Sequence, residues 1–489
     1  MPGLSKQEVD KSLDSSVKDG SFYSVMTGFG DTYLVPFALR LGATNQEIGL
    51  LAALPQLASS VSQQISARLT EKYGLRKKTM VAGAFLQGAT WLPILLAPFL
   101  FPETPVSFVI LFAGFYAFFA SFAALPWASL MGDLVPAESR GAFFGKRNEI
   151  TGFAALVSSA VAGAVLGMFD SPRVVAVAAG TPVPLWLLGF CAIFSLAFLA
   201  RMVSVYFLTK MAEPDYSPPK EKGPGFFAFI KTIRRNDFGV FTLYAAGTQF
   251  ATYVASPFFT VYVLKELDFD YATFAAFTAA MAFVQFVSMP YWGRLADRYG
   301  VKTVLGVSGA LIPVIPFLWL FSENATYLVL LNAFAGFAWA GFNLLTFNYV
   351  LDATEPATRP RFMAHYSMVN NAALFFGSLA GGLLAAYFSD KQLLWMDGLL
   401  LLFLLSGVLR AAIAATLLPR IREVRPRYDL AEKEFFWKAA AVYPIMGALH
   451  RLQWARRAGT EMVATLERTT REETEKLGER IRHGLSKKK

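Results

Sequence analysis

Runs of about 20 predominantly apolar residues, bounded by charge or by Pro and Gly, recur along the whole chain. Each is long enough for a helix to cross a hydrocarbon core of about 30 Å. Few folds are open to such a chain, because backbone polar groups in lipid must be satisfied within the spanning segments. Of the 489 residues, 55% are hydrophobic and 16% charged. A single anchor or a signal segment does not account for that balance. The sequence therefore reads as an all-α polytopic membrane protein. Twelve transmembrane helices are expected, at 21–43, 46–64, 79–101, 106–132, 150–169 and 184–208, then at 238–264, 272–291, 303–321, 325–350, 369–388 and 393–418.

Charge sets the expected orientation, since basic residues near helix ends resist translocation. The loops between odd and even spans hold only Arg40, Arg173, Lys265 and Lys391, whereas the N-terminal tail and the opposite loops hold 22 Lys and Arg. Both termini are thus expected in the cytoplasm. The start, with Glu8, Asp10, Asp14 and Asp19, lacks the basic-then-apolar order of a cleaved signal and reads as a cytosolic tail over 1–20. The net charge of +10 is explained by this topology, so no nucleic-acid partner is implied. A lone cysteine, Cys191, excludes an internal disulfide. Three histidines without partner cysteines supply no zinc-type ligand set, so neither metal nor cofactor is expected.

The two halves carry the same marks at nearly constant offset. Pro36-Phe37 answers to Pro257-Phe258, and Arg68-Leu69-Thr70-Glu71-Lys72-Tyr73-Gly74 to Arg294-Leu295-Ala296-Asp297-Arg298-Tyr299-Gly300. Asp133 with Arg140 answers to Asp352 with Arg359, and Ser159 with Gly163 to Ser378 with Gly382. Six helices return the chain to the same face, so 21–211 and 238–418 read as parallel repeats with a path between them. The Pro-, Lys- and Glu-rich stretch 212–237 reads as a cytosolic linker. Phe226-Phe227-Ala228-Phe229-Ile230 within it resembles a short interfacial helix. The tail 419–489 is basic and amphipathic. Its Phe435, Phe436, Trp437 and Tyr443 suit either a membrane surface, with membrane lipids as partner, or a solvated helix.

The segment Gly293-Arg294-Leu295-Ala296-Asp297-Arg298-Tyr299-Gly300-Val301-Lys302 resembles the signature loop of the major facilitator superfamily. The stretch from Arg68 to Lys78 is a weaker copy, with Ala67 for the first glycine and Glu71 for the aspartate. Asp133-x-x-Pro136-x-x-x-Arg140-Gly141 is similar to the family's loop between spans 4 and 5. The resemblance covers 21–418 and implies two parallel six-helix repeats. An acid and bases at helix ends there can pair across the cytosolic rim and separate when that side opens. Candidate gate residues are Arg68, Glu71, Gly74, Asp133 and Arg140 in one half, and Gly293, Arg294, Asp297, Arg298, Gly300, Asp352 and Arg359 in the other. Turn geometry and topology alone explain the same charges, and Gly74 and Gly300 are turn formers on either reading. The chain departs from the proton-coupled drug antiporters, lacking their arginine in span 4 and Gly-Pro element in span 5. It also departs from the sugar porters, reading Ala212-Glu213-Pro214-Asp215 after span 6.

Asp31 falls in the middle of the first span, where an acid costs about 2.5 kcal/mol or more unless hydrated, paired or protonated. It is expected to face a cavity, as a proton carrier, part of a cation site, a partner to a neighbouring helix or the receptor of a substrate amine. Its repeat mate is Thr252, polar without charge. In the superfamily, spans 1, 4, 7 and 10 line the cavity, which implies Tyr33, Tyr116, Gln249, Thr252, Tyr253, Trp339 and Asn343 as substrate or coupling residues. Arg201 and Arg410, near the ends of spans 6 and 12, are expected to snorkel to the interface.

Gly141-Ala142-Phe143-Phe144-Gly145-Lys146-Arg147 lacks the spacing and hydroxyl of a phosphate loop, and HExxH and GxSxG motifs are absent, so no enzyme is expected. The reading is a secondary active transporter for a small organic solute by alternating access, with the proton preferred to sodium as coupling ion. The alternatives are a lipid or amphiphile exporter of the same fold, or a transport-inactive scaffold or sensor acting through its tail.

Overall fold

The structure is a computed structural model that describes residues 4–424 except 137–139, 172, 177–181, 215–224, 355–358, 393–395 and 397. The tail beyond 424, including the aromatic group at 435–443, lies outside the described residues. The first span is α1 (Lys6–Phe29), a 3-10 turn at Asp31–Tyr33, and α2 (Leu34–Arg40). There follow α3 (Asn45–Tyr73), the pair α4 (Arg76–Ala89) and α5 (Trp91–Leu100), α6 (Pro105–Leu134), α7 (Arg140–Phe169) and α8 (Leu185–Lys210). A short antiparallel ribbon, β1 (Val174–Ala176) on β2 (Pro182–Pro184), lies between α7 and α8 with Val175 opposite Val183. The second half runs α9 (Phe226–Thr232), α10 (Asp237–Val261), α11 (Tyr271–Tyr299), α12 (Val301–Leu311), α13 (Val314–Leu318), α14 (Ala325–Asp352), α15 (Arg359–Phe388) and α16 (Gly398–Leu417).

Nine helices among the described residues are long and apolar enough to cross a membrane. The three expected spans outside that set are α1 with α2, α3 and α10. The first is interrupted at Gly30, α3 carries Gln56, Ser59, Ser60, Ser62, Gln63, Gln64 and Ser66, and α10 carries Thr242, Thr248, Gln249 and Thr252. Their polarity is what a helix beside an aqueous path retains.

Local chemistry fixes the helix starts. Ser5 with Glu8, and Thr44 with Glu47, form reciprocal capping boxes, and the side chains of Asn236, Asp270 and Asn324 accept the first free N–H groups of α10, α11 and α14. Gly74, at φ +64°, and Gly300, at φ +91°, end α3 and α11 in conformations that favour glycine.

Packing repeats with the sequence. In the first half α1 packs on α7 and α8, α3 on α6, and α4 on α6; in the second, α10 packs on α15 and α16, α11 on α14, and α12 on α14. The halves meet where α3 faces α15 and α7 faces α11. Small residues allow these approaches, since packing rather than hydrophobicity joins helices in lipid. A side chain on Gly28 would strike Ser158 and the Ala155 carbonyl of α7, and one on Gly381 would strike the Val254 carbonyl of α10. The linker helix α9 is confirmed as a short element. Phe229 is buried against Phe238, Phe362 and a buried His365, while Phe227 remains 81% exposed.

Candidate functional site

The break between α1 and α2 creates the site. Pro36 has no N–H to give the turn before it, and Gly30 lies directly against the Trp91 ring, where a larger residue would clash. The chain passes through a 3-10 turn, and Asp31 is left solvent-accessible midway along the span. Tyr116 of α6, whose hydroxyl points to the Met26 sulfur at 4.0 Å, and Arg201 of α8 both act on its carboxylate electrostatically. Tyr116 also packs edge-on to Trp91 with ring centres 5.1 Å apart. Hydration of the exposed carboxylate and the nearby Arg201 charge offset the cost of an acid at this depth.

Below Asp31 the same helix carries further polar groups. Tyr23 is exposed toward the same side and lies under the Arg201 guanidinium, 4.8 Å from its ring centre. Gln87 of α4 is fully buried nearby, with neither its amide nitrogen nor its amide oxygen hydrogen-bonded. Asp19 is buried, accepts from Ser204 at 2.7 Å, and faces Arg201 at 3.9 Å and Arg147 of α7 at 3.8 Å. Arg201, expected at the interface, is instead 4% exposed and points inward, because Asp19 and Tyr23 supply the partners that lipid does not. Arg410 of α16, also expected to snorkel, is 2% exposed. It donates to Ser406 at 3.1 Å and to the Ile312 carbonyl at 3.5 Å. That carbonyl lacks its helical donor because Pro316 stands four residues on.

The expected cavity residues divide. Tyr116, Gln249, Tyr253 and Trp339 are half-buried and Asn343 is exposed; Gln249 and Tyr253 share one helical face, and Trp339 and Asn343 another. Tyr33 and Thr252 differ from expectation. Tyr33 is fully buried, its hydroxyl donating 2.7 Å to the Ser159 carbonyl and its ring meeting Phe274. Thr252 is buried and returns its hydroxyl to the Thr248 carbonyl at 2.7 Å. Both fall on the packed side of their helices.

On the face opposite the N terminus the halves are sealed together. Arg40 pairs with Asp170 and donates 3.0 Å to Tyr271 of α11. Gly49 of α3 and Gly382 of α15 approach so closely that a Cβ on Gly49 would lie 2.6 Å from the Gly382 Cα.

On the face bearing the N terminus the expected gate network has a different centre. Asp133 pairs with Arg76, not with Arg68. Arg76 starts α4 immediately after the Gly74 turn and is fully buried, donating also to Ser129 at 3.3 Å and the Pro214 carbonyl at 3.0 Å. Arg68 lies two turns earlier on α3 and is exposed. Glu213 accepts the Lys77 N–H at 3.2 Å, and in the second half Glu423 accepts the N–H groups of Lys302 and Thr303 at 2.9 and 3.3 Å. Each half therefore closes with an acid capping the corresponding helix. Arg294 is exposed and donates only 3.3 Å into its own helix, at Pro290; Arg298 lies over the neighbouring Tyr299 ring; Asp297 is exposed and Asp352 half-buried. A Cβ on Gly293 would meet Leu344 at 3.7 Å, an ordinary contact. The side chains of Glu71, Arg140 and Arg359 lie outside the described residues. Arg76, Glu213 and Glu423 were visible as charges at helix ends, but spacing alone did not say which of several neighbouring bases turns inward.

Two sets of packed helices, with nine helices among the described residues long and apolar enough to cross a membrane, define a multi-pass membrane protein. The chain matches the Major Facilitator Superfamily over residues 20–254 and again over 241–458, and it belongs to that family. It is 30% identical over 145 residues to an uncharacterised protein of the sodM 3′ region of Geobacillus stearothermophilus. It is 26% identical over 141 residues to the uncharacterised MFS-type transporter YybF of Bacillus subtilis. Those stretches take in 28% and 29% of this chain, and 64% and 33% of the relatives' lengths. The fold is similar to that of the nucleoside transporter NupG, with TM-score 0.64 and 12% identity over 84% of this chain and all of that one. It is also similar to an inward-facing bacterial homologue of the human lysosomal transporter Spinster, with TM-score 0.61 and 15% identity over 88% of this chain and all of the other. Members of this family bind small-molecule substrates and sit among membrane lipids.

Proposed function

We propose that this protein is a secondary active transporter that moves a small organic solute by alternating access, with the proton as coupling ion and Asp31 as its carrier. The observation that carries the reading is Asp31 itself, an acid held accessible in a helix break midway along a span, beside Tyr116. Arg201 acts on the same carboxylate. A resident guanidinium opposes a metal cation there, whereas a proton removes the charge, which favours the proton over sodium. The repeated packing supports two halves, 21–211 and 238–418, joined by the linker 212–237 and rocking about the cavity between Tyr116, Gln249, Tyr253, Trp339 and Asn343. The excess of basic residues supports a cytosolic location for both termini, and all twelve expected spans crossing the bilayer. On that orientation Asp31 is reached from the cytosol, and the pair of buried Arg76 with exposed Asp133, together with Glu213 and Glu423, belongs to the cytosolic gate. One proton falling through about 100 mV supplies about 2.3 kcal/mol, enough for roughly fifty-fold accumulation.

The test is thermal unfolding of the purified protein against sugars, amino acids, organic acids, nucleosides, drugs and lysolipids, at two pH values and with or without sodium. The reading expects a hit that changes with pH and disappears in Asp31→Asn. A hit that depends on sodium and survives Asp31→Asn contradicts it.

A further inference from the structure

Asp19 and Tyr23 stand one turn apart on the first span, and Asp31 follows two turns further on across the break at Gly30, about 18 Å from Asp19 along the span at 1.5 Å per residue; Tyr23 is acted on by both acids. Asp31 is accessible and Asp19 buried. Between them, against the Tyr23 ring, stands Arg201. Its Nη1 donates 2.7 Å to Ser204 and lies 3.9 Å from Asp19, while its Nε is buried and makes no hydrogen bond. A buried guanidinium nitrogen without an acceptor costs free energy, so this side chain has donor capacity that its present position leaves unused.

We propose that Arg201 is shared between Asp19 and Asp31 and moves between them as Asp31 takes up and releases its proton, which makes Asp19 the second acid of the coupling site. The inference rests on the reading that Asp31 carries the coupling proton. Side chains on a helix lean toward its N terminus, so the Asp31 carboxylate hangs toward Thr27. From its place on Tyr23, Arg201 needs to rise by about one helical turn, 5.4 Å, to reach that level. A long, flexible side chain covers that range by changing rotamer.

The groups facing each acid make the exchange consequential. Asp31 faces Tyr116 from α6 and Arg201 from α8, with Tyr23 on its own helix. Asp19 faces Arg147 from α7, and Arg201 and Ser204 from α8. When Asp31 ionises, Arg201 turns to it, and Asp19 remains held by Arg147 and the Ser204 hydroxyl. When Asp31 is protonated, Arg201 returns to Asp19 and ties α1 to α8 near the N-terminal face. A proton taken from the cavity water by the Asp31 carboxylate thus redistributes the ties among α1, α7 and α8 at the end of the bundle that must open and close.

Infrared difference spectroscopy of the purified full-length protein, titrated with pH, tests this through the protonated-carboxyl band that Asp31→Asn removes. The expected result is that Asp19→Asn moves the midpoint of that band by about one pH unit toward acid, because Arg201 is no longer divided. Arg201→Gln is expected to move it by a similar amount the other way, and Arg201→Lys to restore most of the shift. Asp19→Asn keeps the shape of the side chain, and a cooperative thermal transition verifies that the variant is folded. An Asp31 band whose midpoint is the same in folded Asp19→Asn overturns the exchange while leaving Asp31 as the carrier. A titrating band that Asp31→Asn fails to remove overturns the coupling reading itself.

Discussion

Replacing Gly49 by Val drives a wedge into the sealed face. A Cβ at Gly49 would stand 2.6 Å from the Gly382 Cα and 3.0 Å from both the Gly382 nitrogen and the Ser378 carbonyl oxygen. Carbon atoms in contact prefer about 3.5–4.0 Å, and all three neighbours are backbone, which no rotamer change can move aside. The α3 and α15 helices must separate by about 1 Å, and the two methyl groups that valine carries on its Cβ add to this. Overpacking of this kind costs about 1–3 kcal/mol. Only the conformation in which these ends touch bears the cost, so about 2 kcal/mol shifts the equilibrium roughly thirty-fold toward the conformation open on this face. Spin labels at Glu103→Cys and Glu323→Cys, exposed on opposite halves of this face, in a Cys191→Ser background, report the separation by electron–electron resonance. Gly49→Val is expected to move the distribution toward longer distances. Gly382→Ala is expected to do less, since its nearest neighbour would be the Gly49 Cα at 3.0 Å and the others are at 3.4 Å. A folded Gly49→Val protein with the wild-type distribution would refute the reasoning that this contact closes the face.

Removing either partner of the Arg76–Asp133 pair, as Arg76→Gln or Asp133→Asn, is expected to lower thermal stability by about 1–3 kcal/mol, with the double variant far from additive; additive losses would mean that the pair is not a unit. Glu423→Ala strips the N–H groups of Lys302 and Thr303 of their acceptor, which is expected to cost about 0.5–2 kcal/mol and to raise hydrogen exchange at the start of α12. Asp270→Ala removes the cap of α11 at a cost of about 1 kcal/mol. The side-chain and backbone bonds from Thr273 hold the Asp270 carboxyl below its ordinary range, so its contribution is fully present above about pH 4 and lost as pH falls through the lowered value. The difference in melting temperature between wild type and variant should accordingly close in acid, and a difference that persists there contradicts the assignment.

Most of the fold was legible because apolar length is read directly by the bilayer. The expected starts at 46, 238, 272 and 325 fall within one residue of α3, α10, α11 and α14, where capping residues coincide with the membrane edge. The misses have a common cause. Apolar runs report only what lies in lipid, whereas α1, α3, α7 and α15 continue as polar helix well beyond it, starting at Lys6, ending at Tyr73, and starting at Arg140 and Arg359. At the site, Asp31 was legible since a mid-span acid is costly wherever it stands. Asp19 was not, because a short distance outside the expected span an acid looks like solvated tail until tertiary packing buries it against Arg147 and Arg201. Arg76 was hidden for a related reason. Among Arg68, Lys72, Arg76, Lys77 and Lys78, only the turn at Gly74 decides which base faces Asp133.

The central claim is that a proton gradient drives solute movement through Asp31. Full-length protein in sealed vesicles, exposed to a pooled mixture of sugars, amino acids, organic acids and nucleosides under an imposed pH gradient, allows the lumen to be assayed directly by mass spectrometry. The account predicts that at least one solute accumulates above its outside concentration only while the gradient is present, and that Asp31→Asn abolishes this accumulation in folded protein. Accumulation that persists without the gradient, or that is undiminished in Asp31→Asn, would contradict it.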